Sequence, residues 1–362
     1  MVLRGKMKIR RSLIFSLVFF LAVVSCQVQT PATEVPEVEA PLPSPEAIEP
    51  TISAIENTIN PENLGQLKIS SNMQASTGAV DCSWSSDNSM LTIMDITHAG
   101  LYDAETQTLL AEFTGDEYTA LYAVSPDAGL AAYSLDGVKI QLYDFNTKAD
   151  RISITPEFQY GSVFFSPDGT LLAVDSLETI EVVLFDTSTG EKMNSLSGFE
   201  TAAPVYRALF SPDGSALLWI SRGTAQPMDI TTQNLDPALS HEDFIAAAKI
   251  SRDNTKVTTA AAGTYNGEMQ PLVTLWNSRD GQVLWQNGNL EYFSSLDFSM
   301  DDSLLAAGTL NEVVFFDVES GKELSRLQTG GEVINSLGFS PDGTSLLTCS
   351  TSGIAAIWKI VP

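Results

Sequence analysis

Apolar residues recur in pairs two positions apart, and they do so seven times. The pairs are Cys82 and Trp84, Tyr122 and Val124, Val163 and Phe165, Ala208 and Phe210, Ala248 and Ile250, Leu296 and Phe298, and Leu337 and Phe339. The residues between them are mixed: Ser83, Ala123, Phe164, Leu209, Lys249, Asp297 and Gly338. Period two with one constant apolar face predicts a strand. A serine follows each pair, at 85, 125, 166, 211, 251, 299 and 340, and an aspartate stands two residues beyond it. At its most complete the phrase is Ser-Pro-Asp-Gly, as at 166–169, 211–214 and 340–343. Pro presets φ, Asp bonds nearby backbone and Gly accepts positive φ, so each phrase predicts a tight turn. A second apolar register follows at Tyr102, Tyr143, Phe185, Met228, Trp276, Phe316 and Trp358. An aspartate follows five of these, at 103, 144, 186, 229 and 317. Further short apolar strands lie between the registers and after the second one.

The serines are separated by 40, 41, 45, 40, 48 and 41 residues. A period near 40 with four strands per repeat predicts an all-β, seven-bladed β-propeller, one blade of four antiparallel strands per repeat. The seventh repeat stops after its third strand. The segment 64–70, before the first repeat, is expected to supply the missing strand to the blade built from 332–359, so that the ring closes without an open edge.

The phrases Phe165-Ser166-Pro167-Asp168-Gly169, Val183-Leu184-Phe185-Asp186, Leu275-Trp276 and Phe339-Ser340-Pro341-Asp342-Gly343 resemble the WD-repeat β-propeller family over about residues 60–362. The resemblance implies a rigid propeller that binds partners on the face carrying the second-to-third-strand loops and the links between blades. The Gly-His pair that opens many repeats of the family is absent, and His98 and His241 are the only histidines. The family's buried Ser-His-Asp-Trp network is therefore not carried over, and both histidines are expected in surface loops.

The first sixty residues differ from the rest. Arg4, Lys6, Lys8, Arg10 and Arg11 precede an apolar run, 13–24, too short to span a bilayer. This is the form of a secretory leader over 1–25. Its exit, Val23-Val24-Ser25-Cys26, resembles a bacterial lipobox, so Cys26 is the expected lipid-attachment site and the chain an exported, envelope-anchored lipoprotein. Residues 26–60 are acidic and hold six prolines between 31 and 50, a composition that reads as an extended tether. The propeller domain is expected over 61–362.

Net charge is −26, and loss of the leader takes it to −31. Such a balance argues against nucleic acid and against adsorption to anionic lipid, leaving the anchor as the expected membrane contact. With Cys26 lipidated, Cys82 and Cys349 remain, on neighbouring blades of a closed ring. They read first as two small buried hydrophobes, with a disulfide across the closure as the alternative.

Two isolated histidines, no cysteine pair at metal spacing and no Gly-rich phosphate loop leave no constellation for catalysis, a cofactor or a metal. The expectation is a monomeric, non-catalytic platform for a protein or peptide partner. A small-molecule or glycan receptor using the central channel is the alternative, and a carboxylate-based hydrolase the second. The candidate surface is the blade-five loop 263–271, with Tyr265, Asn266, Glu268 and Met269, and the aromatic residues Tyr118, Tyr160 and Tyr292 at blade entrances.

Overall fold

The computed structural model describes residues 58–75, 78, 81–199, 207–265, 267–288 and 292–361. The leader, Cys26, the tether to residue 57, and Asn266 lie outside the described residues. Seven four-stranded antiparallel sheets follow one another along the chain. Blades 1 to 6 span 81–114, 120–154, 160–197, 207–240, 245–287 and 295–328. Blade 7 takes three strands from 334–360 and its fourth from Leu67–Gln74. That closing strand pairs antiparallel with Ile354–Ile360, from Leu67 opposite Ile360 to Gln74 opposite Ile354. It begins three residues later than the sequence suggests, because Leu64–Gln66 forms a 3-10 turn with Leu64 buried. Only Leu67 of the strand is fully buried, Ser71 and Met73 are half-buried, and the register shifts between Ile69 and Ser71.

The first strand of every blade lies innermost, and each Ser-x-Asp phrase turns it into the second strand. All seven turns have the same wiring. The buried serine donates its hydroxyl to the aspartate two residues on, at 2.5–2.7 Å. The same hydroxyl oxygen accepts the amide five residues on, at 2.8–2.9 Å. The residue after the aspartate has φ between +55° and +74° in all seven turns. Glycine holds that place in three turns, and Asn88, Asn254, Asp302 and Ala128 in the others, three of them residue types that tolerate this region best after glycine.

The hydrophobic core is a series of slabs between neighbouring sheets. Leu130, Ile140 and Leu142 of blade 2, for example, meet Leu172, Val174 and Val183 of blade 3. At the closure Cys82, Leu91 and Ile93 of blade 1 meet Leu347, Cys349 and Ile357 of blade 7. Cys82 and Cys349 are joined there by a disulfide with a Cα–Cα distance of 6.2 Å. Blade 4 is the irregular one. Pro227 lies inside its third strand without an N–H, and the fourth strand shrinks to Leu239–Ser240. The carbonyl of Pro227 accepts instead from the amide of Asp236 at 3.0 Å.

Candidate functional site

The propeller has two unlike faces. One carries the Ser-x-Asp turns and the turns between third and fourth strands. There the carboxylates of Asp103, Asp144, Asp186, Asp229 and Asp317 accept backbone amides of their own turns. The other carries the second-to-third-strand loops and the links between blades. Among the described residues, nine of the large hydrophobic side chains left exposed belong to this loop face: Ile96, Tyr118, Leu135, Val138, Leu177, Phe244, Met269, Tyr292 and Leu310. Six more lie on outer strands, Val361 follows the last strand, and Met300 alone belongs to the Ser-x-Asp turns. The exposed apolar side chains are thus divided unequally between the two faces.

The structure sorts the candidate residues. Tyr118 (71% exposed), Met269 (62%) and Tyr292 (46%) stand in solvent on the loop face, and Glu268 is exposed beside Met269. The blade-five segment is not a loop. It is an extended hairpin, Lys256–Tyr265 with Glu268–Asn277, in which Thr264 faces Met269 and Tyr265 faces Glu268. Pairing of 264–265 with 268–269 removes the free backbone a loop would present. Tyr265 is half-buried against Gly288, where an added Cβ would lie 2.6 Å from its ring. The Thr264 hydroxyl donates to Glu242 at 2.9 Å, tying the hairpin to the link that holds Phe244. Tyr160 is not a surface anchor: it is 7% exposed and packs edge-on against Tyr122, with ring centroids 5.9 Å apart.

His241 also departs from expectation. Its ring is largely enclosed, with Nε2 2.7 Å from Thr259 Oγ1 and the imidazole edge-on to Trp276. Trp276 Nε1 donates to the same hydroxyl at 2.7 Å. Burial pushes the His241 pKa down to about 4, so the ring is neutral at pH 7. Blade 5 thus keeps a His-Thr-Trp network, and blade 7 keeps its Trp-Thr part, Trp358 Nε1 to Thr348 Oγ1 at 3.0 Å. The expectation of a surface loop fails for His241 because its partner Thr259 lies 18 residues on and no Gly-His pair marks the contact. His98 opens the third strand of blade 1, with Nε2 3.5 Å from Glu112.

The inner strands enclose an axial channel. Three cavities of about 300, 420 and 280 Å³ follow one another along it, and Lys249 borders all of them. Its charged lining comprises Asp81 and Asp95 of blade 1, Arg207 of blade 4, Lys249 and Arg252 of blade 5, and Asp297 of blade 6. Lys249 lies 3.8 Å from Asp297. The sequence pattern assigns Arg207 no place and Lys249 only a mixed position between apolar residues, although they stand four and two residues before their serines. Aligning the first strands would have shown charges at only a few of these inner positions. No group of three or more His, Cys, Asp or Glu side chains placed to hold a metal occurs among the described residues. No helix among them is long and apolar enough to cross a membrane.

Residues 321–359 match the family described as "WD domain, G-beta repeat". The chain is a seven-bladed β-propeller that carries a WD40 repeat. This WD40-repeat propeller resembles the β-propeller domain of Cps50 (Swd1) from Myceliophteria thermophila. The TM-score is 0.64 at 13% identity, over 82% of this chain and 100% of that domain. It is 28% identical over 202 residues to the WD repeat-containing protein SL1-17 of Schistosoma mansoni, across 55% of this chain and 61% of that protein. It is 23% identical over 290 residues to periodic tryptophan protein 2 of Arabidopsis thaliana, across 69% of this chain and 30% of that protein. The WD40-repeat propeller therefore spans less than two thirds of the length of these curated relatives, which are eukaryotic.

Proposed function

We propose that this propeller is a non-catalytic platform that captures a protein or peptide on its loop face, centred on blade 5. The observation that carries the reading is the asymmetry of exposed apolar side chains between the two faces. Phe244, Met269 and Tyr292 concentrate it where the blade-five hairpin meets the links on either side. Exposed aromatic side chains on a rigid scaffold are efficient anchors, since few torsions are frozen on docking, and methionine adds an adaptable apolar contact. Support for a non-catalytic role comes from the channel acids, each of which is occupied by neighbouring donors.

The proposal extends to location. The basic head, the apolar run 13–24 and the Ser25-Cys26 exit support export and lipid attachment at Cys26, with a tether that ends at residue 57 rather than 60, because Ile59 is buried in the propeller core and its amide donates to the Gly343 carbonyl at 2.9 Å. The bacterial-type reading rests on these leader residues alone.

Two measurements test the two halves. Met269→Glu together with Tyr292→Ser should abolish capture of the partner from native envelope extract and leave the melting temperature unchanged. Equal capture by the variant would remove the loop face as the site. Cys26→Ser should move the chain from the membrane to the soluble fraction and end its labelling by a fatty-acid probe; unchanged labelling would refute the anchor.

A further inference from the structure

The channel wall is charged unevenly. Arg207, Lys249 and Arg252 come from two adjacent blades, whereas the carboxylates face them from blades 1 and 6. Each carboxylate is already engaged. Asp81 accepts the Cys82 amide at 2.9 Å and the Ser336 hydroxyl at 2.5 Å. Asp95 accepts the amides of Thr97 and His98, both at 2.8 Å. Asp297 takes the Phe339 amide at 2.9 Å and faces Lys249. Arg252 spends its guanidinium on the carbonyls of Ser299 and Phe298, at 3.3 and 3.4 Å.

Arg207 differs from all of these. Among the described residues no carboxylate or carbonyl meets its guanidinium, although the whole chain has net charge −26 and acids are abundant. It borders the two larger cavities, and Lys249 borders both with it. The 420 Å³ cavity also has an apolar wall that includes Phe164 and Leu209. A fixed fork of N–H donors, a second cation one blade away and an apolar floor together match a carboxylate on an apolar body.

We propose that the axial channel is a binding site for a small organic carboxylate. The carboxylate sits on Arg207, Lys249 adds the second positive charge, and the apolar body lies against Phe164 and Leu209. Ile96 of the loop face also borders the 300 Å³ cavity, but this site rests on Arg207 and the platform on Met269 and Tyr292, so each reading has its own variant.

The test uses the full chain and three probes sharing one ring: benzoate, benzamide and benzamidine, which are anionic, neutral and cationic. Isothermal titration or ligand-observed NMR at low ionic strength reads the affinities. Benzoate is expected to bind with a dissociation constant of about 1 mM, as suits a ligand this small. Benzamide should bind at least tenfold more weakly and benzamidine not at all. Arg207→Gln should cost benzoate tenfold or more at an unchanged melting temperature, and Arg207→Lys should restore part of the loss. Equal affinity for the three probes, a preference for benzamidine, benzoate binding unaffected by Arg207→Gln, or no benzoate binding up to about 10 mM would each overturn the proposal.

Discussion

Replacing Ser85 by alanine tests the wiring of the repeating turn. Ser85 is 2% exposed, and its hydroxyl does two jobs. It donates to Asp87 Oδ1 at 2.7 Å and accepts the Met90 amide at 2.8 Å. Alanine removes a hydrogen bond to a charged group, worth roughly 1.5–3 kcal/mol, and leaves a half-buried amide without its acceptor. Asp87 keeps the Ser89 amide and hydroxyl, at 3.0 and 2.7 Å, so the turn is weakened rather than lost. The net cost is about 2–3 kcal/mol. For a propeller of this size, that lowers the melting temperature by roughly 3–5 °C. The Ser85 hydroxyl is also the largest cause holding the Asp87 carboxyl at about 2, ahead of the Ser89 amide and hydroxyl. An aspartate depressed in the folded state stabilises above its unfolded pKa, and that contribution is lost as pH falls through the folded one. The stability gap between wild type and Ser85→Ala should therefore be full at pH 6 and narrow between about pH 4 and pH 2. The assays are urea unfolding followed by near-ultraviolet circular dichroism and a carboxyl titration by NMR, in which the Asp87 pKa of the variant should rise. An unchanged melting temperature, or a gap that widens as pH falls, would refute the wiring.

Three other outcomes follow from the same structure. Cys82→Ser with Cys349→Ser opens a cross-link separated by 267 residues and should cost about 3–5 kcal/mol, read as an earlier unfolding midpoint that reductant no longer shifts. His241, buried neutral with a pKa of about 4, contributes stability above its unfolded pKa of 6.5 that is lost as pH falls toward 4, up to about 3 kcal/mol. In His241→Gln the urea midpoint should vary less between pH 7 and pH 4.5; an equal slope would show that the ring is exposed. Removing residues 58–74 bares the edge of the Ile354–Ile360 strand and should produce self-association in size-exclusion chromatography.

What could be read in advance follows from how local each signal is. The Ser-x-Asp turns were legible because their donors and acceptors all lie within five residues. Ring closure was legible because a blade lacked a strand, but its bounds were not, since Leu67–Gln74 is mostly exposed and polar. The blade-five hairpin carried its own signal in the Asn266-Gly267 dipeptide, a strong short-range mark of a two-residue turn. The extra length around it suggests a loop, and the paired strands 256–265 and 268–277 take its place. Tyr160 reads as exposed because its cover, Tyr122, comes from the neighbouring blade, and His241 because its partners Thr259 and Trp276 lie 18 and 35 residues further along the chain. The channel cations were missed because Arg207 and Lys249 meet only when strands from separate repeats converge on the axis.

The central claim is that a partner docks on the loop face. Photo-crosslinking from opposite faces tests it most directly, with a photoreactive residue placed at Met269 or at Met300 in the full chain within its native envelope. The account predicts a discrete adduct from position 269 and none from position 300. An adduct from position 300 with none from position 269 would contradict it.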